Sequence, residues 1–242
     1  GLQAANGEWI KFLGADDTLK PTCIEDNMLW ISLHPETKAL FSRVDVYRDI
    51  FTPDNILETT PGDPYSSKSI LAPDRNALSQ YRMLLVSDRI HFSPSVFLNR
   101  DTLISLGGFD EQVRTLEDYP LWLKLTRHGH RLDFMDKTTV NYRQHLAAIN
   151  NSGIDYLIKP NYFKSEFLRK SYTYPNLPSD IRLEQRFNWF AVQIFRIRIL
   201  NLNTRFNRAL KDLITIYLNP FRYFIWLRRC FNKNLRDCEF YY

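Results

Sequence analysis

The chain has 242 residues, of which 44% are hydrophobic, 24% charged and 14% aromatic, with a formal net charge of +5. This balance excludes collagen-like, disordered and disulfide-scaffold classes, and the length suits one large domain or one domain with an appendage. The three cysteines, Cys23, Cys230 and Cys238, form no C-x-x-C pair and fit a reducing compartment better than a secreted framework.

The chain opens Gly1-Leu2-Gln3-Ala4-Ala5-Asn6, without a basic-then-apolar leader. No stretch reaches the roughly 20 apolar residues of a membrane span. The nearest, Leu213 to Leu227, is broken by Asn219, Pro220 and Arg222. The charge is uneven: Arg196 to Arg236 holds ten Lys or Arg against one acid, Asp212, a local +9 that leaves −4 for the rest. An acidic body with a basic, aromatic-rich tail points to an anionic partner.

In chain order, Trp9 to Leu13 is an apolar run closed by Gly14 and predicts a buried strand. Ile24, Met28, Leu29 and Ile31 fall at helical spacing up to Pro35. Ala39 to Tyr47 predicts another strand. Thr52 to Pro73 holds Pro53, Pro61, Pro64 and Pro73 with Gly62, and reads as one long loop. A helix is expected from about Asn76 to Val86 and a strand near Val96 to Leu98. A short helix, Arg100 to Leu106, ends at Gly107-Gly108. Glu117 to Arg127 predicts a helix with Leu121, Trp122 and Leu125 on one side and Gly129 as its C-cap. Thr138 to Arg143 is the last expected strand, and beyond Tyr162 the pattern is helical. Strands alternating with helices and then a helical tail imply an α/β domain, residues 1–150, followed by a helical extension, residues 151–242.

Three places carry residue types suited to chemistry. Asp16 and Asp17 stand where a buried strand runs out, a position where α/β sheets bind ligands. Two carboxylates there suit Mg²⁺ or Mn²⁺, or one of them caps the next helix. Glu117 and Asp118 open a helix, where the macrodipole favours acids, and either is also a candidate general base. His145 follows the last strand, as a metal or phosphate ligand or as a plain surface residue.

The run A-N-G-E-W-I-K-F-L-G-A-D-D-T-L-K-P, followed by L-G-G-F-D-E-Q-V-R-T-L-E-D-Y-P-L-W-L-K-L, resembles glycosyltransferase family 2, nucleotide-sugar transferases of the GT-A fold. The resemblance covers residues 1–150. It implies a Rossmann-like mixed sheet and places Asp16, Asp17 and His145 on the metal. Asp16, Gly107, Gly108, Phe109 and Trp122 fall to donor and acceptor, and Asp118, with Glu117, to the catalytic base. The implied activity is inverting, metal-dependent transfer of a sugar from a nucleotide donor, commonly UDP-linked. The acceptor would be a glycan or lipid-linked molecule in surface polysaccharide synthesis, such as O-antigen or capsule. Two features depart from the family pattern. Gly14 stands where an aspartate is usual, and the first strand-loop-helix units, which hold the nucleoside, are absent. The chain therefore reads as the C-terminal part of a longer bacterial enzyme, lacking the first strands of its sheet.

In the tail, Phe221, Tyr223, Phe224, Trp226, Leu227 and Phe231 interleave with Arg222, Arg228, Arg229 and Lys233. Such a segment packs a core or lies in a membrane interface; single-stranded nucleic acid is the weaker reading, and no nucleic-acid partner is expected. The expected place is the cytoplasm, at the inner membrane's cytoplasmic face where residues 196–236 touch lipid. The rival functions are a non-catalytic remnant that keeps only the acceptor half, and a basic nucleic-acid-binding protein.

Overall fold

The computed structural model describes residues 1–113, 116–144 and 156–232. The chain divides into two compact units, Gly1–Asn150 and Asn151–Tyr242.

The first unit is built on a mixed six-stranded sheet. Its elements run β1 (Trp9–Lys11), β2 (Thr18–Leu19), α1 (Cys23–Leu33), β3 (Ala39–Arg48), β4 (Ile56–Thr60), α2 (Ala77–Val86), β5 (Phe97–Asn99), α3 (Arg100–Ser105), α4 (Asp118–Arg127) and β6 (Leu132–Gln144). The strand order is β1-β5-β3-β6-β2, with β4 also on β3. β3 is the spine. It pairs in parallel with β6 from Ala39↔Leu132 to Arg48↔Gln144, and its other edge is shared by β5 at Ala39 and Leu40 and β4 at Val44 to Tyr47. The mixed α/β fold expected from the strand–helix alternation is therefore present.

A strand covered on both sides must be apolar on both sides, and β3 starts that way at the buried Ala39, Leu40 and Phe41. Leu40 packs with Phe97 and Met135, and Trp9, Trp30 and Ile31 close over them. On the opposite face Phe41 meets Phe92 and Trp122 edge-on, with ring centroids 5.6 and 5.0 Å apart. The buried Leu121, Trp122 and Leu125 of α4 thus face the core as their spacing predicts.

Four expectations are corrected. The segment Ile56–Thr60, read within a long loop, is β4, an edge strand with Thr59 Oγ1 donating to Asp45 Oδ1 at 2.7 Å. Its residues are mostly solvent-facing, so no core signal marks it, and Pro53 and Pro61 masked the short run between them. The last strand begins at Leu132 rather than Thr138, because Leu132 to Met135 also pair with β3, ahead of a register shift at Asp136 and Lys137. β1 ends at Lys11, two residues early. Helix α1 forms where expected but turns Ile24, Met28, Leu29 and Leu33 outward and buries Cys23, Asp26 and Asn27. Polar pairing explains that rotation: Asp26 is bonded by Thr22 and Lys137, and Asn27 Nδ2 donates to the Cys23 carbonyl at 2.7 Å.

The second unit is helical: α5 (Pro160–Lys164), α6 (Glu166–Leu168), α7 (Ser179–Val192), α8 (Arg205–Asp212) and α9 (Pro220–Phe231), with π-helical turns at Arg169–Thr173 and Leu213–Tyr217. Its core is Ile158, Val192 and Phe195, with Tyr162, Trp189, Leu200 and Leu210 around them. The buried Asn201 side chain ties Ile158 through both backbone groups, at 2.8 and 2.9 Å. Pro220 starts α9 and Asn219 caps it by accepting from Phe221 N at 3.1 Å, so the residues that interrupt the apolar stretch separate two helical segments.

Candidate active site

The turn after β1 carries Gly14, Asp16 and Asp17. The Asp17 amide donates to the Gly14 carbonyl at 3.2 Å, and this brings the side chains back over residue 14. Asp17 is buried, and its Oδ1 accepts from Arg143 N in β6 at 2.9 Å. That bond excludes the capping alternative for Asp17: α1 has Thr22 at its N-cap, and no side chain caps it. Burial pushes the Asp17 carboxyl above its ordinary value, the Arg143 amide partly offsets this, and the Asp16 charge raises it again.

Gly14 explains how two carboxylates share this turn. A Cβ there would stand 2.7 Å from Asp17 Oδ2 and 3.1 Å from Asp16 Oδ1. The two oxygens therefore converge over a bare α-carbon. Hard oxygen donors of this kind suit Mg²⁺ or Mn²⁺, which keep several waters and substrate phosphates beside one or two carboxylates. Among the described residues no group of three or more His, Cys, Asp or Glu side chains is placed to hold a metal, so they contribute this pair alone. His145 lies outside the described residues, just past Gln144.

The second part of the site is the turn after α3. Gly107 and Gly108 both take left-handed backbone angles, φ 77° and 64°, which a side chain would strain. Their amides close α3 onto the Ile104 and Leu103 carbonyls, both at 2.9 Å. Phe109 then meets Phe12 edge-on with centroids 5.2 Å apart, joining this turn to the segment that leads into the carboxylates. Lys124 Nζ donates to the Gly108 carbonyl at 3.0 Å and joins the same turn to α4.

Asp118 opens α4 and is half-buried, and Glu117 before it is exposed and makes no capping bond. Trp122, expected among the binding residues, is 1% exposed and packs beneath Phe41's sheet; it supports α4 from within the core and offers a ligand no surface. One residue went unnoticed in the sequence. Asp88, in the loop after α2, is half-buried, and burial lifts its carboxyl to about 6, with the Asp118 charge adding to the rise. Nothing in Ser87-Asp88-Arg89 marks it, because its neighbour is supplied by a helix thirty positions away.

No family model matches the chain. It is similar to an uncharacterised glycosyltransferase of Haemophilus influenzae, 25% identical over 127 residues, which are 52% of this chain and 38% of that protein. The chain thus spans well under two thirds of that relative's length. Among solved structures it is similar to S. aureus TarS 1-349 in complex with UDP-GlcNAc, with a TM-score of 0.47 and 15% identity, over 89% of this chain and 57% of that one.

Proposed function

We propose that the chain is the metal- and acceptor-binding part of an inverting glycosyltransferase that uses a nucleotide-sugar donor, UDP-linked in the first instance. The observation that carries the reading is the convergence of Asp16 Oδ1 and Asp17 Oδ2 over Gly14, in the turn that follows β1. The glycine turn at 107–109 and the acidic start of α4 accompany it, and the similarity to a glycosyltransferase supports it.

In this reading Asp16 and Asp17 hold Mg²⁺ or Mn²⁺, which supplies neutralising charge for the departing nucleoside diphosphate. Gly107, Gly108 and Phe109 form a side-chain-poor wall against which donor and acceptor can lie. Asp118 accepts the proton of the acceptor hydroxyl as its oxygen attacks the anomeric carbon from the face opposite the leaving group. A single displacement of that kind inverts the anomeric centre. The acceptor class is a glycan or a lipid-linked glycan of surface polysaccharide such as O-antigen or capsule.

Contact with an anionic membrane surface, at the cytoplasmic face, is part of the proposal. The supporting observation is α9, which packs Phe221 against Phe187 but leaves Tyr223, Phe224, Trp226, Leu227 and Phe231 exposed beside Arg222. No helix among the described residues is long and apolar enough to cross a membrane. Sedimentation with phosphatidylglycerol vesicles, and none with phosphatidylcholine alone, is the expected result.

Calorimetric titration with UDP, with and without Mn²⁺, tests the site. Heat that requires both Mn²⁺ and the Asp16–Asp17 pair supports the reading. An Asp16→Ala/Asp17→Ala variant that binds UDP like the parent overturns it. Asp118→Asn should abolish transfer while donor binding stays near normal, and lost donor binding with intact turnover contradicts the assigned role. A folded chain that binds neither UDP nor metal favours the non-catalytic remnant.

A further inference from the structure

Among the described residues, two cations stand beside Asp17 in the chain or across the sheet, and each is engaged elsewhere. Lys20, three residues on, pairs with Asp45 at 2.8 Å and lies over the Tyr47 ring at 5.9 Å. Arg143 is joined to Asp17 directly, its own amide donating to Asp17 Oδ1 at 2.9 Å. An arginine held through its amide is long enough to fold back on the same carboxylate, and a forked guanidinium–carboxylate pair is a strong contact. Among the described residues, Asp17 and Arg143 form no such ion pair. The guanidinium lies instead over the Phe51 ring, 4.5 Å from its centroid, and Nε is buried without a hydrogen-bond partner.

Phe51 is itself fixed. It follows β3 in a turn where Asp49 takes a left-handed φ of 58°, uncommon for a residue with a side chain. The Asp49 amide donates to the Gln144 carbonyl at 3.1 Å, so the turn is pinned to β6 one residue past Arg143. Tyr47, which pairs with Arg143 in the β3–β6 register, meets Phe51 edge-on with centroids 5.2 Å apart. Backbone and ring packing thus set Phe51 beside Arg143 independently of the guanidinium, and the ring face then attracts that cation.

We propose that Phe51 is a positioning residue that holds the Arg143 guanidinium off the Asp17 carboxylate, so that Asp17 Oδ2 stays open to a divalent cation. This rests on the reading of Asp16 and Asp17 as ligands of Mg²⁺ or Mn²⁺. Arg143 divides its parts between two tasks. Its amide fixes Asp17 Oδ1 with a neutral donor, while its charge rests on an aromatic face. A guanidinium paired with Asp17 would occupy the oxygen that converges over Gly14 and would repel the incoming metal.

The first test needs neither metal nor donor. In the NMR spectrum of the full chain, the Arg143 Nε–H proton should be shifted upfield by the ring. It should stay so in Phe51→Tyr and move downfield in Phe51→Leu. A parent signal at the ordinary arginine position overturns the ring contact and the proposal with it. The second test is Mn²⁺ titration. A folded Phe51→Leu variant should bind Mn²⁺ more weakly by roughly fivefold or more, while Phe51→Tyr binds like the parent. In an Arg143→Gln background, whose amide still holds Asp17, Phe51→Leu should change nothing, because no guanidinium is left to release. An equal loss in both backgrounds overturns the role, since the ring then acts by packing alone. Arg143→Gln by itself should bind Mn²⁺ at least as well as the parent, and a loss there also contradicts the proposal. If the parent binds no Mn²⁺ while its Arg143 proton is ring-shifted, the ring contact stands, and the metal reading falls together with the role in it.

Discussion

The side-chain amide of Gln80 holds both backbone polar groups of Leu132: Oε1 accepts from Leu132 N at 2.8 Å and Nε2 donates to Leu132 O at 2.9 Å. Nε2 also reaches the Ile70 carbonyl at 3.0 Å. Leu132 is the first residue of β6, so one fully buried glutamine ties α2, the loop before it and the start of the longest strand.

Gln80→Leu keeps the volume but orphans a buried N–H and two carbonyls. Each unsatisfied group costs about 1–3 kcal/mol, so we expect a loss of about 3 kcal/mol of stability. Urea unfolding with an unchanged m value checks this, and a loss below ~1 kcal/mol contradicts it.

Gly14→Ala separates metal binding from folding. Gly14 has no left-handed backbone angle, so alanine strains nothing locally, yet its methyl meets Asp17 Oδ2 at 2.7 Å. Mn²⁺ affinity should fall at least tenfold, about 1.4 kcal/mol, with little change in thermal midpoint. Equal Mn²⁺ binding in parent and variant rules out the cradle.

Trp122→Phe tests whether that ring works by packing. Its burial against Phe41 predicts a loss of about 1–3 kcal/mol on partial truncation, with UDP affinity unchanged once folding is accounted for. Selective loss of ligand binding in a fully folded variant argues for direct contact instead.

Stability should depend on pH with a definite sign. Asp88 is raised to about 6, chiefly by burial, so its contribution is fully present below pH ~4 and is lost as pH climbs through 6; Asp17, also raised chiefly by burial, acts in the same direction. At 1.36 kcal/mol per unit, and reduced for partial solvent access, Asp88 accounts for about 1–2 kcal/mol of that loss. Lys11 acts oppositely: burial lowers it to about 8, so stability recovers as pH rises from about 8 towards 10.5. Denaturation at a series of pH values should show a shallow minimum near pH 7–8, and Asp88→Asn should flatten its acid side. A parent chain more stable at pH 7.5 than at 5.5 contradicts the assignment.

The elements legible in the sequence are those whose periodicity answers to one face of the core, such as α4 with Leu121, Trp122 and Leu125. What escaped was decided by neighbours distant in the chain. β4 shows no apolar face because it lies on an edge, and the first half of β6 is recognised only by its pairing with β3. In α1 the apolar residues do not choose the buried side, because Lys137 anchors Asp26 from β6. The carboxylate pair and the glycine turn were readable as motifs. Gly14's role as a cradle needed the fold of the turn, and the raised carboxyl of Asp88 needed its burial in the folded chain.

The edge-on contact of Phe12 with Phe109 carries a thermodynamic obligation. It joins the turn proposed to hold the cation to the turn proposed to face the acceptor, so a ligand that orders one of them alters the free energy of ordering the other. Linkage is reciprocal: if Mn²⁺ tightens acceptor binding by some factor, acceptor must tighten Mn²⁺ by that same factor. A double-mutant cycle on the two rings would give that coupling a magnitude, with the phenyl–phenyl contact as the conduit between the two ligands.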